Sequence, residues 1–116
     1  MEYKKINELT EEECKEAFIK IKDKLTLERR EMLDINSKRD ITATEMAKEV
    51  FNNKSYGIAN SAYGKLAHEF HDALKNKYFL ESKWWIKIFV EFKKNDNNEW
   101  LWIMREPVKK AWIQVR

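Results

Sequence analysis

Apolar residues in the first part of the chain recur every three or four positions, the spacing of one buried face of an α-helix. Thr10 and Glu13 stand just before the first such stripe, at the spacing of a capping box in which each side chain bonds the backbone N–H of the other residue. The pattern predicts a helix after Thr10 that continues or restarts over residues 27–33, within an N-terminal helical segment 1–36. Its inward stripe is Cys14, Ala17, Phe18, Ile21 and Leu25.

A second capping box, Thr42 with Glu45, predicts the start of a pair of helices. The shorter helix turns Met46, Ala47, Val50 and Phe51 inward. Residues 52–54 are polar and predict a turn, and Ser55 is expected to cap the longer helix that follows. The inward stripe of that helix steps by four, with alanines widening it: Ile58, Ala62, Leu66, Phe70 and Leu74.

The outer face of the longer helix is small, polar and rich in hydrogen-bond donors. It consists of Asn60, Ser61, Gly64, Lys65, His68 and Asp72. Residues 41–76 are therefore predicted to form a helix-turn-helix, whose second helix lies in the major groove of DNA. The alternative is an ordinary solvent-facing surface on a packed helix.

From residue 84 the apolar period changes from helical to two, which predicts a Trp-rich β-hairpin over residues 84–105. With residues 95–98 as the loop, Phe92 pairs with Leu101 and Val90 with Ile103. Pro107 predicts a short final helix over 107–113. This pairing predicts a core face of Ile86, Ile88, Val90, Phe92, Leu101 and Ile103, and an opposite face of Lys87, Phe89, Glu91, Lys93, Trp100, Trp102 and Met104. A slip of one residue would exchange the two faces.

The order of elements predicts one α+β domain over residues 1–116, resembling a winged helix-turn-helix, in which three N-terminal helices precede the hairpin and a short C-terminal helix. A chain of 116 residues can bury a core without disulfides or metals. The single cysteine, Cys14, lies on an apolar stripe and is expected to be a buried, unreactive thiol. No apolar run is long enough to span a bilayer, and the opening residues lack a signal-peptide core, so a cytoplasmic location is expected.

The charge is +3 overall and unevenly distributed, at −2 over residues 1–36, +2 over 37–83 and +3 over 84–116. A mildly basic middle and end permit a polyanion partner. Together with the polar helix face, this predicts a duplex-DNA-binding module, with phosphate contacts from basic residues around the helix pair and from the hairpin tip. The predicted DNA-binding residues are Lys38, Arg39, Lys54, Ser55, Tyr56, Asn60, Ser61, Gly64, Lys65, His68, Lys93 and Lys94.

Catalysis is not expected from this chain, and neither is a metal or another cofactor. His68 and His71 lie three residues apart with acidic neighbours, but two histidines on an amphipathic helix are more often surface residues than ligands, and zinc normally takes four well-placed ligands. Most of the five tryptophans are predicted to be buried. Aromatic residues left exposed among lysines would suit stacking on unpaired bases or a protein interface.

Three segments together resemble a known domain: TATEMAKEV, SYGIANSAYGKLA, and the later tryptophan-rich hairpin that ends in Met-Arg before Pro-Val-Lys-Lys-Ala-Trp. The chain is similar over residues 41–113 to the N-terminal domain of bacterial HNH-type restriction endonucleases. The resemblance implies a DNA-recognition module that delivers a nuclease, yet no HNH motif follows in these 116 residues. The residues that match that domain's helix motif one by one are Ser55, Tyr56, Gly57, Asn60, Tyr63, Gly64, Lys65 and Leu66.

A protein partner is the alternative from a different functional class. A small phage-encoded or adaptor protein of this fold could bind and inhibit a nuclease or defence complex. Trp100 and Trp102 on the hairpin are then the predicted contact residues. An inhibitor should lose function when these tryptophans are altered and should tolerate changes at Asn60 and Lys65. This result would distinguish it from a DNA-binding protein.

Overall fold

The computed structural model describes residues 3–81 and 84–116, and residues 1, 2, 82 and 83 lie outside the described residues. Five α-helices and three strands follow one another along these ranges. The helices are α1 (Glu11–Ile21), α2 (Leu27–Lys38), α3 (Ala43–Phe51), α4 (Tyr56–Ala73) and α5 (Glu106–Val115). The strands are β1 (Ile41–Thr42), β2 (Val90–Lys94) and β3 (Trp100–Met104). The predicted α+β class, and its order of helices, hairpin and C-terminal helix, are confirmed.

The N-terminal segment contains two helices, so four helices precede the hairpin and the prediction of three was wrong. A 3₁₀ turn at Lys22–Lys24 ends the first helix, and Leu25 is extended. The Thr26 hydroxyl then accepts a hydrogen bond from the Arg29 N–H at 3.2 Å and starts α2. The restart has a local cause, because a new N-cap supplies an acceptor for the free N–H groups of a second helix.

Only one of the two predicted capping boxes forms completely in the structure. At α3 the box is complete, since the Thr42 hydroxyl accepts from the Glu45 N–H and the Glu45 carboxylate accepts from the Thr42 N–H. At α1 only the Thr10 hydroxyl accepts as predicted. The Glu13 carboxylate instead accepts hydrogen bonds from Tyr78 and Asn76, which hold the segment after α4 against α1.

The sheet is antiparallel with the order β1-β3-β2. The short strand β1, which the sequence did not predict, pairs Ile41 with Trp102. Because β1 immediately precedes α3, this pairing joins the helix pair to the hairpin.

The hairpin register differs by one residue from the prediction. Phe92 pairs with Trp102 and Val90 with Met104, because the loop spans residues 95–99 rather than 95–98. Asn98 adopts the left-handed conformation with φ 62°, and the Asn95 N–H donates to the Glu99 carbonyl at 2.9 Å. The slip exchanges the faces of β3: Trp102 and Met104 are buried, whereas Leu101 and Ile103 are only partly covered.

Residues 84–89 are not a strand, in contrast to the prediction. Trp85–Ile88 form a 3₁₀ turn, and β2 begins at Val90. The turn places Phe89 in the core rather than on the outer face, with its ring centroid 4.9 Å from that of Phe70. Packing of this aromatic ring against α4 thus outweighs the local period-two pattern.

Aromatic rings form the centre of the core. Phe18 of α1 lies 4.6 Å from Phe70 of α4 and 5.2 Å from Trp112 of α5, measured between ring centroids. The predicted final helix extends to Glu106–Val115, with Pro107 in its first turn. Cys14 is fully buried as predicted, and burial raises the pKa of its thiol to about 12. No helix in the described ranges is long and apolar enough to cross a membrane.

Candidate nucleic-acid interface

The turn between α3 and α4 sets the direction of α4, which is the candidate DNA-recognition helix. Asn52 ends α3 in the left-handed conformation, with φ 50° and ψ 44°, which asparagine tolerates better than most residues. The Asn53 carboxamide oxygen then accepts a hydrogen bond from the Ser55 N–H at 2.7 Å. Ser55 occupies the N-cap position as predicted, but its hydroxyl makes no capping hydrogen bond. The polar turn is therefore closed by Asn53 rather than by the serine side chain.

A buried hydrogen bond between side chains anchors helix α4 to its neighbours. The Tyr63 hydroxyl donates to the Asn36 carboxamide oxygen of α2 at 2.9 Å. The Asn36 amide nitrogen donates in turn to the Trp102 carbonyl of β3 at 3.0 Å. The Tyr63 ring stacks on the Trp102 ring at 5.0 Å between centroids, and burial raises the pKa of Tyr63 well above its usual value. One tyrosine thus fixes α4 relative to both α2 and the hairpin.

This anchor corrects the predicted inward stripe of α4. Ile58, predicted to be buried, is 37% exposed, whereas Tyr63, not placed in the stripe, is fully buried. Ala62 is partly covered, and Leu66, Phe70 and Leu74 are buried as expected. The helix is rotated so that the aromatic ring, with its larger apolar area, takes the central position.

The predicted polar face of α4 lies outward. Asn60, Ser61 and Lys65 are exposed, and Gly64 between them is partly covered. A methyl group added at Gly64 would meet no atom within 4 Å, so no contact inside the protein requires glycine there. In a helix interior glycine is less stable than alanine by about 1 kcal/mol, so this position carries a folding cost without an intramolecular reason.

His68 lies on the same face, but its ring contacts a neighbouring aromatic side chain. Its ring stacks on the Trp85 ring with centroids 4.1 Å apart and an angle of 4° between the planes. Its Nε2 atom also lies 3.7 Å from the Asp72 carboxylate, and the side chain remains about half exposed. The structure thus brings His68 to the predicted face while holding its ring against the 3₁₀ turn.

His71 is not the surface residue that the sequence suggested, since it is only 4% exposed. Its Nε2 atom lies 3.1 Å from the backbone nitrogen of Tyr78 and 3.2 Å from the carbonyl oxygen of the same residue. Burial lowers the pKa of His71, so the ring is neutral in the folded protein near pH 7. Within residues 3–81 and 84–116, no three His, Cys, Asp or Glu residues are arranged to hold a metal ion.

The basic residues predicted to contact phosphates differ in their surroundings. Lys38, Lys54 and Lys93 are exposed. Arg39 forms an ion pair with Glu49 of α3, so part of its charge is already compensated. The Lys94 ammonium lies 4.8 Å from the centroid of the Trp100 ring. All five side chains are thus at the surface, and the four lysines have no ion-pair partner among the described residues at the distances of a salt bridge.

A cluster of three aromatic side chains, of which the sequence predicted only Trp100 to be a contact residue, lies beside the start of α4. Trp84 stacks on Phe92 with centroids 4.8 Å apart and 16° between the planes, and Trp100 meets Phe92 edge-on at 6.3 Å. Trp84 and Trp100 are 50% and 52% exposed. A groove of about 310 Å³ runs between these rings and Tyr56 and Asn60 of α4.

The structure separates the two tryptophans that were predicted to contact a partner protein. Trp100 is half exposed, but Trp102 is only 1% exposed and packs on Tyr63. Both side chains lie on the same face of β3, but Trp102 lies against α4, whereas Trp100 is the first residue of the strand and lies beside the hairpin loop. The aromatic residues that accompany Trp100 at the surface are Trp84, which precedes the hairpin, and Phe92.

No family model, curated protein or solved structure matches this chain.

Proposed function

We propose that this chain is a winged helix-turn-helix domain that binds duplex DNA and reads the major groove with α4. The observation that carries the proposal is the outward face of Asn60, Ser61, Gly64 and Lys65, on a helix that Tyr63 anchors to α2 and β3. A small polar face on a rigidly held helix is what a groove-reading element requires. The order of elements supports it, because a strand between two helices adds to a C-terminal hairpin, as in winged domains.

The chemistry of the face supports base recognition. An asparagine carboxamide can pair with adenine through two hydrogen bonds, and a lysine ammonium can donate to the O6 and N7 atoms of guanine. Asn60 and Lys65 supply these groups within the first three turns of α4. Gly64 between them has open space outside it, which allows the helix backbone to approach the groove floor closely.

Phosphate contacts follow from the surrounding cations. Lys38 and Arg39 stand at the end of α2, Lys54 in the turn before α4, and Lys93 and Lys94 at the tip of the hairpin. The hairpin is then the wing of the domain. If all five neutralise a phosphate, the logarithm of the binding constant should fall with the logarithm of salt concentration with a slope of about −4.5.

The test is an electrophoretic shift with duplexes of varied sequence and modification, comparing Asn60→Ala and Lys65→Ala with wild type. Each variant should weaken binding about 5- to 150-fold for the preferred sequence, which corresponds to roughly 1–3 kcal/mol for a base contact. Lys75→Ala is the matched control, because Lys75 is an exposed lysine just beyond α4 and should leave affinity within twofold. Absence of duplex binding by wild type at 50 mM salt would overturn the proposal.

The resemblance to the N-terminal domain of HNH-type restriction endonucleases supports the same proposal and gives it a context. Its matched residues include Asn60, Gly64 and Lys65, which form the outward face together with Ser61. Tyr63, also matched, is the buried anchor of that face. The proposed role is therefore recognition of DNA in restriction or a related defence process, without catalysis by this domain.

A second candidate, a protein that binds and inhibits a nuclease or defence complex, is favoured by one observation. Trp84 and Trp100 are half exposed, and tryptophan is enriched among the residues that dominate protein interfaces. Such an inhibitor would lose function in Trp100→Ala and tolerate Lys65→Ala. The buried Trp102 takes no part in this candidate, because its substitution would damage the core instead.

A further inference from the structure

We propose that the aromatic cluster of Trp84, Phe92 and Trp100 is a stacking site for one unpaired DNA base. The inference rests on the proposed function, because the base would belong to the DNA that α4 binds. It goes beyond that function by adding a second mode of recognition, which reads a base outside the double helix.

The rings are already arranged for stacking. Trp84 and Phe92 lie nearly parallel at 4.8 Å, and Trp100 stands edge-on to Phe92 at 6.3 Å. Each ring is held by its neighbours, so little conformational freedom remains to be lost on binding. About half of the surface of Trp84 and of Trp100 is nevertheless open to solvent. Aromatic faces of this kind accept bases of any sequence, because every base has a π-face.

Cations lie over the same rings. The Lys87 ammonium is 5.4 Å from the centroid of Trp84, and the Lys94 ammonium is 4.8 Å from that of Trp100. Three carboxylates lie nearby: Glu91 is paired with Arg105 at 3.2 Å, Glu81 lies 3.8 Å from the Lys87 ammonium, and Glu99 lines the groove beside Trp100. A base stacked on these rings carries its own phosphates, which the flexible lysines can contact. The combination of open rings and overlying lysines complements a nucleotide better than it complements an apolar peptide.

The aromatic cluster lies next to α4, the proposed recognition helix. The groove that contains Trp84, Phe92 and Trp100 is also lined by Tyr56 and Asn60 in the first two turns of α4. A duplex seated on α4 therefore brings its backbone beside the rings. A base that leaves the stack there would meet hydroxyl and carboxamide groups on one wall and the rings on the other.

The unpaired base can come from a duplex that releases one nucleotide or from a single strand. The experiment separates these sources with three probes of one sequence: an intact duplex, the same duplex with a single bulged 2-aminopurine, and the labelled strand alone. Binding is measured by fluorescence anisotropy, and stacking by quenching of the 2-aminopurine emission.

Wild type should bind the bulged duplex about tenfold or more tightly than the intact duplex, with quenching of the probe. Trp100→Leu and Trp84→Leu should each reduce this preference to near one and remove most of the quenching. Phe79→Leu is the matched control, since Phe79 is an exposed aromatic residue that does not line this groove, and it should retain the preference. Circular dichroism confirms that each variant is folded.

Failure of the inference and failure of the proposed function give different results. Binding of the intact duplex with no preference for the bulge, or a preference that both tryptophan variants retain, overturns the stacking site alone. Binding of the single strand that depends on Trp100, without binding of the duplex, overturns the major-groove proposal and upholds the stacking site. No binding of any probe overturns both.

Discussion

At the scale of single residues, the hydroxyl group of Tyr63 connects three elements of the domain. It donates to Asn36, which is 1% exposed and also donates to the Trp102 carbonyl. Removing one partner of a buried hydrogen bond leaves the other without compensation, and this costs more than the bond itself contributes.

Tyr63→Phe should therefore lower the free energy of unfolding by about 1–3 kcal/mol, although the ring and its packing on Trp102 remain. Urea denaturation followed by tryptophan fluorescence measures the change. Tyr56→Phe removes a hydroxyl from an exposed tyrosine of the same helix and should change stability by less than about 0.5 kcal/mol. Equal stabilities of the two variants would contradict the role given to the Asn36 contact.

Gly64→Ala should have opposite effects on folding and on DNA binding. The added methyl group has open space around it and should stabilise the helix by about 1 kcal/mol. The same methyl group would separate α4 from the groove floor and should weaken duplex binding. Thermal denaturation and an electrophoretic shift on the same preparation measure the two effects. A more stable variant with unchanged affinity would show that α4 does not approach DNA through Gly64.

At the scale of elements, the sequence predicted those features whose signals are local. Thr42 and Glu45 predict the start of α3, and Pro107 predicts the start of α5. Both signals are local, because a capping residue and the φ angle that the proline ring fixes act within one helical turn. The hairpin register depends on whether its loop has four or five residues. The run of asparagines around Asp96 permits both.

Long-range packing decided the remaining features of the candidate site. The burial of Trp102 depends on Tyr63, which is 39 positions away in the chain. The aromatic cluster depends on a 3₁₀ turn that carries Trp84 back over Phe92. The outward face of α4 could be predicted because a periodic pattern distinguishes it. The surfaces beside it could not be predicted, since they arise where distant segments meet.

The α3–α4 turn yields a prediction at the same scale. Asn52 has φ 50°, where a β-branched side chain is strained and glycine is not. Asn52→Val should lower the free energy of unfolding by about 1–2 kcal/mol, whereas Asn52→Gly should leave it nearly unchanged. Denaturant midpoints of the two variants test this. If valine were tolerated as well as glycine, the turn would adopt another conformation in solution.

At the scale of the whole molecule, two buried ionisable groups join the segment after α4 to the helices. Burial raises the pKa of Glu13, but hydrogen bonds from Asn76, Tyr78 and Thr10 outweigh this and bring it below its usual value of 4.5. Burial likewise lowers the pKa of His71 below 6.5. In both cases the unfolded chain binds a proton more readily than the folded protein, so acid favours unfolding.

Stability should consequently fall in two steps as the pH is lowered. The first begins near pH 6.5, where His71 of the unfolded chain gains a proton, and the second near pH 4.5, where Glu13 of the unfolded chain does so. Urea midpoints between pH 8 and pH 3 measure both. His71→Gln should lack the first step. Glu13→Gln should be destabilised at pH 7 and approach wild type in acid, and a constant difference at all pH values would contradict the assignment.

The strand order β1-β3-β2 leaves β2 at the margin of the sheet, and in the described part of the chain no strand pairs with its outer side. Such an edge can add a strand from another molecule and begin aggregation, which charged side chains on the edge oppose. Glu91, Lys93 and Lys94 are the exposed charges on β2. We therefore expect the lysines that are proposed to hold phosphates to keep this edge from self-association as well.

Replacing both lysines by alanine should therefore give concentration-dependent oligomers in addition to weaker DNA binding. Replacing both by glutamate should weaken DNA binding while the protein stays monomeric, because charge remains on the edge. Size-exclusion chromatography over a range of concentrations separates the two effects. A monomeric double-alanine variant would show that the lysines are not needed to protect the edge, which Glu91 would then protect without them.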